Sequence, residues 1–236
     1  MLRYYLDRIG RGSFGLGSRS RVVIGIPLQI TEVERKAVED AVLSAGAGSV
    51  NLIEEPMAAA IGAGLPIEDP IGNMIVDIGG GTTDIAVISL GGIVSFKSLA
   101  IAGDEMNRNI IQYAREELNL LIGERVAEAI KIEIGSATPL EEVLEIPMRG
   151  RDLVSGLPRE IMVSDACIRE SLKHSVQTIV AAVKLALEQT PPELVADIFT
   201  RGVVLSGGGA LLKNLDRLIA EETEIPVRIA TDPLTS

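Results

Sequence analysis

The sequence predicts an α/β fold, because strand-like and helix-like segments alternate along its 236 residues. Strand-like segments such as residues 21–27 are short apolar runs. Helix-like segments, the longest of which starts near Asp165, carry apolar residues three or four positions apart. With 47% hydrophobic residues, the chain can bury the core of one large domain or of two smaller ones.

The first predicted elements are a strand, a capped helix and a second strand. Residues 21–27, "RVVIGIP", form a buried strand, and Thr31 with Glu34 forms a capping box that begins a helix. The predicted inner face of this helix is apolar and consists of Val33, Ala37, Val38, Ala41 and Val42. A short strand over residues 50–53 leads to another helix, with Pro56 in its first turn.

A glycine-rich hairpin follows, with strands at residues 74–78 and 85–90. Its turn, from Asp77 to Asp84, contains three consecutive glycines and two threonines. A tight turn needs only one or two glycines, whereas three expose backbone N–H groups that an anion can approach. The chain continues as a strand, which excludes the Walker A loop and the dinucleotide fingerprint. We therefore favour a phosphate-binding hairpin, and a purely structural hairpin is the alternative.

The alternation continues after the hairpin. A strand over residues 93–100 precedes two helices within residues 103–135, and residues 136–158 are predicted to form short strands of a small subdomain. The long helix that follows has an apolar stripe of Ile168, Leu172, Val176, Ile179, Val183 and Leu187.

The C-terminal part contains a second run of three glycines. Thr190 and Glu193 are predicted to form a capping box that begins a helix. After a strand, the glycines Gly207, Gly208 and Gly209 are predicted to open another helix, and bare backbone at a helix start favours anionic or polar ligand groups. No element is predicted over residues 226–236.

Composition excludes several classes of protein. The net charge of −11 and the aromatic content of 3% argue against nucleic acid as the main partner. The single cysteine, Cys167, excludes an internal disulfide and fits a reducing cytoplasmic compartment. No apolar run approaches the roughly 18 residues of a transmembrane helix, and no signal peptide is visible.

The N-terminal stretch differs from the rest of the chain in charge. Residues 1–21 contain five arginines and one acidic residue, Asp7. Phe14 and Leu16 lie among these arginines in a Gly/Ser-rich setting. Composition favours a mobile loop, while an apolar pair among arginines is also typical of contact with an anionic membrane surface.

Four segments, in this order, resemble the actin-type ATPases: "IEEPMAAAIG", "DIGGGTTD", "GERVAEAIKIEIG" and "LSGGGALL". Together with "IAGDEMN" and "TPPELVADI", they are most similar to the MreB family of bacterial actin homologues, which set rod shape. The resemblance covers essentially the whole chain. Heat-shock chaperone ATPases have a similar Glu-Pro helix and glycine hairpin, so the combination rather than any single motif identifies the family. It implies an actin-like ATPase fold of the ribonuclease H-like class.

The chain departs from that family in one respect. Members hold nucleotide phosphates between two hairpins, and the first, an Asp-Leu-Gly-Thr type loop, has no counterpart here. We therefore expect a fragment that lacks this N-terminal phosphate loop and the C-terminal end. Its expected parts are a remnant of the first large subdomain (1–69), the second large subdomain (70–105 and 168–236) and an inserted small subdomain (106–167).

The resemblance also implies roles for particular residues toward ATP and Mg²⁺. Asp77 is expected to contact Mg²⁺ through water, and the residues expected to contact the phosphates are Gly79, Gly80, Gly81, Thr82 and Thr83. Glu128 and Lys131 are expected in the ribose and adenine pocket, where they face Gly207, Gly208, Gly209 and Ala210. Glu55 is expected to position the water that attacks the γ-phosphate, with help from Thr82.

Each of these assignments has a simpler structural alternative. Glu55 could be an acidic residue favoured by the dipole of a helix start, and Glu128 with Lys131 could be a solvated ion pair. Outside the expected site, we interpret His174 as a surface residue and Cys167 as a packing residue.

As a whole, the resemblance implies an ATP-binding cytoskeletal protein that polymerises into paired filaments. Phe14 and Leu16 would attach it to the inner face of the cytoplasmic membrane, where it would organise the cell-wall elongation machinery. Hydrolysis of ATP is expected of the intact protein and little or none of this fragment. The alternatives are a chaperone-type ATPase, a small-molecule kinase of the same superfamily, or a packing module without activity.

Overall fold

A computed structural model describes Tyr4, Leu6 and residues 20–235. The chain divides into two compact units, Met1–Ala58 and Ala59–Ser236. Phe14 and Leu16 lie outside the described residues, so their predicted membrane contact stays a prediction. Among the residues that are described, no helix is both long and apolar enough to cross a membrane.

Over residues 20–58, the first unit contains a parallel strand pair and one complete helix. Strand β1 (Arg21–Ile26) pairs with β2 (Ser49–Glu54), and α1 (Glu32–Ser44) connects them. The predicted capping box is confirmed, since Glu34 N donates to Thr31 Oγ1 at 3.3 Å and Thr31 N donates to Glu34 Oε2 at 2.9 Å.

The predicted inner face of α1 is wrong over most of its length. Val33 is 80% exposed, Ala37 and Ala41 are also exposed, and Val38 is half-buried. Val42 is the member of the predicted stripe that is fully buried. A sheet of two strands offers the helix only a narrow apolar surface, so the stripe extends beyond what this unit can cover.

The second unit is built on a five-stranded mixed sheet with the order β10-β9-β3-β4-β5. Its strands are β3 (Asn73–Ile78), β4 (Thr83–Ser89), β5 (Gly92–Leu99), β9 (Val203–Ser206) and β10 (Val227–Ile229). The first three form an antiparallel meander, which confirms the predicted hairpin, while β9 lies parallel to both β3 and β10. Strand β10 was not predicted.

Helices cover this sheet and supply most of the apolar core. They are α3 (Gly103–Glu116), α4 (Glu124–Ile134), α5 (Asp165–Glu188), α6 (Pro192–Arg201) and α7 (Leu215–Thr223), while α2 (Glu55–Gly62) spans the boundary between the two units. The long helix α5 is confirmed: five of its six predicted stripe residues are buried, and Leu187 packs against the same core.

The predicted capping box of α6 is wrong. Its N-cap is Pro191 and makes no side-chain cap. The Thr190 hydroxyl instead donates to the carbonyl of Ala186 at 2.7 Å, in the last turn of α5. Thr190 is buried there, so its hydroxyl is satisfied by the preceding helix, and Pro192 starts α6 with its preset φ.

The second glycine turn does not open an α-helix directly, so this part of the prediction is wrong. Residues Gly208–Leu211 form a 3₁₀ turn. Helix α7 begins only after Asn214, whose left-handed φ of 61° separates the 3₁₀ turn from the helix.

A three-stranded antiparallel sheet lies between α3 and α5 in the sequence. It consists of β6 (Leu120–Leu121), β7 (Glu145–Asp152) and β8 (Pro158–Ser164), in the order β6-β7-β8. This agrees with the short strands predicted here, while the predicted subdomain boundaries stay predictions.

The turn between β7 and β8, residues 153–157, is called the hairpin tip below. Asp152 Oδ1 accepts hydrogen bonds from the backbone N–H groups of Val154 at 2.9 Å and Ser155 at 2.7 Å. Val154 and Leu157 are nevertheless 86% and 64% exposed. The tip is therefore an ordered turn that presents apolar side chains to solvent.

Candidate functional site

The turn of the glycine hairpin exposes its backbone. Gly79 N donates to Thr82 O at 2.9 Å and closes the turn, and the Thr82 hydroxyl donates to Asp84 Oδ2 at 3.1 Å. Gly80 and Gly81 are exposed, and a Cβ atom added to Gly81 would meet nothing within 4 Å. The peptide groups at the turn are thus accessible, as a phosphate-binding loop requires.

The second glycine turn lies against the base of this hairpin. Strands β3 and β9 run parallel, with Asp77 opposite Ser206, so both glycine turns follow the carboxyl ends of neighbouring strands. Gly207 has a φ of +79°, and a Cβ atom there would lie 2.3 Å from Ile78 O and 2.6 Å from Asp77 Oδ1. A Cβ atom on Gly209 would lie 2.2 Å from Ile78 Cγ2. Only glycine permits this close approach.

A cavity of about 600 Å³ lies where these segments meet. Six predicted nucleotide-binding residues line it: Gly79, Gly80, Glu128, Lys131, Gly208 and Gly209. The remaining predicted site residues of this unit do not line the cavity; they are Asp77, Gly81, Thr82, Thr83, Gly207 and Ala210. Of these, Asp77 and Gly207 lie at the joined bases of the two turns, as described above.

Helix α4 forms one wall of the cavity through Glu128 and Lys131. Lys131 Nζ donates to Glu128 Oε2 at 2.8 Å and to the carbonyl of Gly103 at 3.0 Å. The Lys131 side chain is 11% exposed and the Glu128 side chain is 45% exposed, so the pair is buried at its lysine and open to solvent at its carboxylate. Although burial opposes it, the hydrogen bonds from Lys131 and Asn107 hold the pKa of Glu128 below its usual value.

Seven residues that line the cavity were missed from the sequence: Gly103, Asp104, Met106, Ile132, Leu211, Leu212 and Leu234. Asn107, which contacts Glu128, was missed as well. A Cβ atom on Gly80 would lie 3.6 Å from Asp104 Oδ1, and Asp104 N donates to Gly80 O at 2.8 Å. Asn107 Nδ2 donates to Glu128 Oε2 at 2.6 Å. The spacing of three residues between Asp104 and Asn107 places both on one face of α3, but only the tertiary contacts connect that face with the cavity.

Thr83 and Glu55 have surroundings that bear on their predicted roles. Thr83 is buried, and its hydroxyl donates to Ile101 O at 2.7 Å. Of the predicted phosphate contacts, that of the Thr83 side chain therefore has the least support from the geometry. Glu55 is the first residue of α2 and belongs to the first unit, where a Cβ atom on Gly25 would lie 3.3 Å from its Cγ.

His174 and Cys167 lie on α5. His174 is exposed, which agrees with its interpretation as a surface residue. Cys167 is half-buried, and hydrogen bonds from Ser164 and Tyr113 lower the pKa of its thiol. Burial, together with the contact to Cys167, raises the pKa of Tyr113 to about 12. Neither His174 nor Cys167 lines the 600 Å³ cavity.

Comparison with solved structures places this architecture in a known class. Crystal structures of MreB5 of Spiroplasma citri bound to ADP and to AMPPNP match with TM-scores of 0.93 and 0.91, both at 39% sequence identity. The first match covers 99% of this chain and 69% of that one, and the second covers 98% and 70%. The chain thus has the actin-like ATPase fold, which confirms the predicted fold class.

The family follows from two comparisons of sequence. The chain is 53% identical to the cell shape-determining protein MreB of Escherichia coli over 235 residues, which are 100% of this chain and 67% of that protein. It is 51% identical to the cell shape-determining protein Mbl of Bacillus subtilis over 234 residues, 99% of this chain and 70% of that protein. The MreB/Mbl protein family model matches residues 1–236, and the chain belongs to this family.

Proposed function

We propose that this chain binds ATP in the cavity between the two glycine turns and α4, as part of a filament-forming protein that governs rod cell shape. The observation that carries the proposal is the convergence of both glycine turns and the Glu128–Lys131 pair on one cavity. Its volume of about 600 Å³ lies within the usual range of small-molecule sites. The relative from Spiroplasma citri was solved with ADP and with AMPPNP.

In the proposed complex, the phosphates lie at Gly79, Gly80, Gly81 and Thr82, where backbone N–H groups supply donors without bulky side chains. The ribose and adenine lie between the Glu128–Lys131 pair and the second glycine turn, which extends from Gly207 to Ala210. Mg²⁺ keeps most of its water and needs few protein carboxylates, so Asp77 would hold it through water.

Hydrolysis would transfer the γ-phosphoryl group of ATP to water and leave ADP and phosphate. We assign Glu55 to orient that water, with Thr82 assisting, because positioning is the main demand on protein groups in phosphoryl transfer. The Thr82 hydroxyl already donates to Asp84, which fixes its orientation at the edge of the turn.

We further propose that the protein is cytoplasmic and self-associates into paired filaments on the inner face of the membrane. Its relatives are named as cell shape-determining proteins. The apolar hairpin tip offers a surface for self-association, and Phe14 with Leu16 offers a membrane contact. Cell-wall elongation proteins are the proposed partners. ATP turnover that depends on an added peptide or sugar would instead favour the chaperone or kinase alternative.

Titration calorimetry with Mg²⁺-ATP tests the nucleotide site, with Gly80→Val as the variant. Gly80 does not have a left-handed φ, and a Cβ atom there makes only ordinary contacts, so we expect the variant to fold and to lose ATP binding by steric exclusion.

The matched control is Gly92→Val, at an exposed strand start where a Cβ atom would lie 3.8 Å from Ser89 O. We expect this control to bind ATP as the wild type does. Equal affinity of wild type and Gly80→Val would refute phosphate binding at the hairpin.

A further inference from the structure

Asn107 makes a part-buried contact with the Glu128 carboxylate. It lies on α3 and is 7% exposed, and its Nδ2 donates to Glu128 Oε2 at 2.6 Å. Lys131 Nζ donates to the same oxygen at 2.8 Å. One oxygen of Glu128 therefore receives two donors, one from α3 and one from its own helix.

The orientation of the Asn107 amide follows from this contact. Within the described part of the chain, Asn107 Oδ1 is buried and has no hydrogen-bond partner. A flipped amide would place this oxygen against the carboxylate of Glu128, acceptor against acceptor. An unsatisfied buried acceptor is costly. The hydrogen bond from Nδ2 to Glu128 must therefore be what fixes the orientation of the amide.

Glu128 also borders a shallow depression of about 440 Å³ on the neighbouring surface, and Arg125 and Asn107 line the same depression. Lys131 divides its hydrogen bonds between Glu128 and the carbonyl of Gly103. Without a donor from α3, the Glu128 carboxylate could turn toward Arg125 and leave the wall of the 600 Å³ cavity.

We propose that Asn107 is a positioning residue of the nucleotide site, which holds the Glu128 carboxylate on the cavity wall. The inference rests on the proposed function, because Glu128 is assigned there to the nucleoside. Asn107 acts through Glu128 and is not expected to contact the nucleotide. The hydrogen bond also favours the ionised carboxylate, so loss of Asn107 changes the direction of the Glu128 side chain and raises its pKa.

Two variants and one control test this inference. Asn107→Asp keeps the shape but replaces the donor by an acceptor, and Asn107→Ala removes the contact. Asn109→Asp adds the same charge to the same helix and keeps the oxygen that accepts from the Ser175 hydroxyl at 2.5 Å. The donor that it loses, Asn109 Nδ2, contacts Glu105 Oε1 at 3.5 Å and not Glu128, so the variant controls for the added charge and for the loss of an amide donor. Thermal unfolding identifies any variant that fails to fold.

The first measurement is the pKa of Glu128 in the nucleotide-free protein, determined from its carboxyl ¹³C NMR signal. We expect it to rise in Asn107→Ala and to rise further in Asn107→Asp, with a smaller change in Asn109→Asp. An unchanged pKa of Glu128 in both Asn107 variants would overturn the inference, since a merely structural asparagine would give that result.

The second measurement is ATP affinity by calorimetry. We expect Asn107→Ala to weaken binding about tenfold in the wild-type background, as for the loss of a hydrogen bond to a charged group, and to have no further effect in Glu128→Gln. If Asn107→Ala weakened ATP binding equally in the wild-type and Glu128→Gln backgrounds, the positioning role of Asn107 would be overturned, while the proposed function would stand. A wild-type chain that binds no ATP at millimolar concentrations would overturn the proposed function, and with it the nucleotide role of Asn107.

Discussion

Replacing Gly207 by alanine should destabilise the second unit strongly, because this residue joins the two glycine turns. The methyl group would lie 2.3 Å from the backbone oxygen of Ile78, which cannot move without disturbing β3. A left-handed φ costs a non-glycine residue about 1–2 kcal/mol, and overpacking costs about 1–3 kcal/mol. We expect a loss of about 2–5 kcal/mol, or a thermal midpoint lower by about 4–20 °C.

Thermal unfolding followed by circular dichroism measures this change, and Gly81→Ala is its control. A Cβ atom on Gly81 meets nothing within 4 Å and no left-handed φ is required there, so we expect its stability to stay within about 0.5 kcal/mol of wild type. The reasoning would be refuted if both variants lost the same stability, or if Gly207→Ala unfolded like the wild type.

Three further predictions concern hydrolysis, acid sensitivity and membrane binding. In the full-length protein, Glu55→Ala should slow phosphate release from ATP while the ATP dissociation constant stays nearly unchanged, because a water-orienting carboxylate acts mainly in the transition state; parallel loss of both would mean that Glu55 is misassigned. Hydrogen bonds from the Ser155 backbone and the Arg159 side chain lower the pKa of Asp152, so its stabilisation of the hairpin tip should persist above about pH 4 and be lost at lower pH. The protection of the tip amides, measured as their exchange rate relative to the intrinsic rate at the same pH, should fall there and should lose this pH dependence in Asp152→Asn; protection that is indifferent to both changes would contradict the assignment. Phe14→Ser with Leu16→Ser should abolish co-sedimentation of the polymerised full-length protein with anionic liposomes but leave polymerisation intact, and binding that survives in a protein with no other apolar anchor would show that the loop is not the membrane contact.

Local sequence signals predicted the elements whose cause is itself local. The hairpin around the first three glycines, the Thr31 capping box and the long helix α5 were found because turn chemistry, capping and helical spacing act over a few residues. Strand β10 has only three residues and becomes a strand by pairing with β9, a contact that its own sequence does not indicate.

The same distinction explains the errors within the site. Thr190 has the right type and spacing for a cap, but the end of α5 provides a competing acceptor for its hydroxyl. Asp104 and Asn107 were missed because their relation to the glycine hairpin and to Glu128 exists only after α3 has packed. Glycine runs identify a site from the sequence, whereas the side chains that surround it depend on tertiary structure.

The start of α3 decides which way the hairpin presents its donors. Gly103 N donates to the carbonyl of Gly79 at 3.1 Å, and Asp104 N donates to the carbonyl of Gly80 at 2.8 Å. In a planar trans peptide the N–H points opposite to the carbonyl, so the N–H groups of Gly80 and Gly81 must point away from α3. Three glycines alone would leave these two peptide planes free to rotate. The polarity of the loop is therefore fixed by a helix that begins more than twenty residues later in the chain.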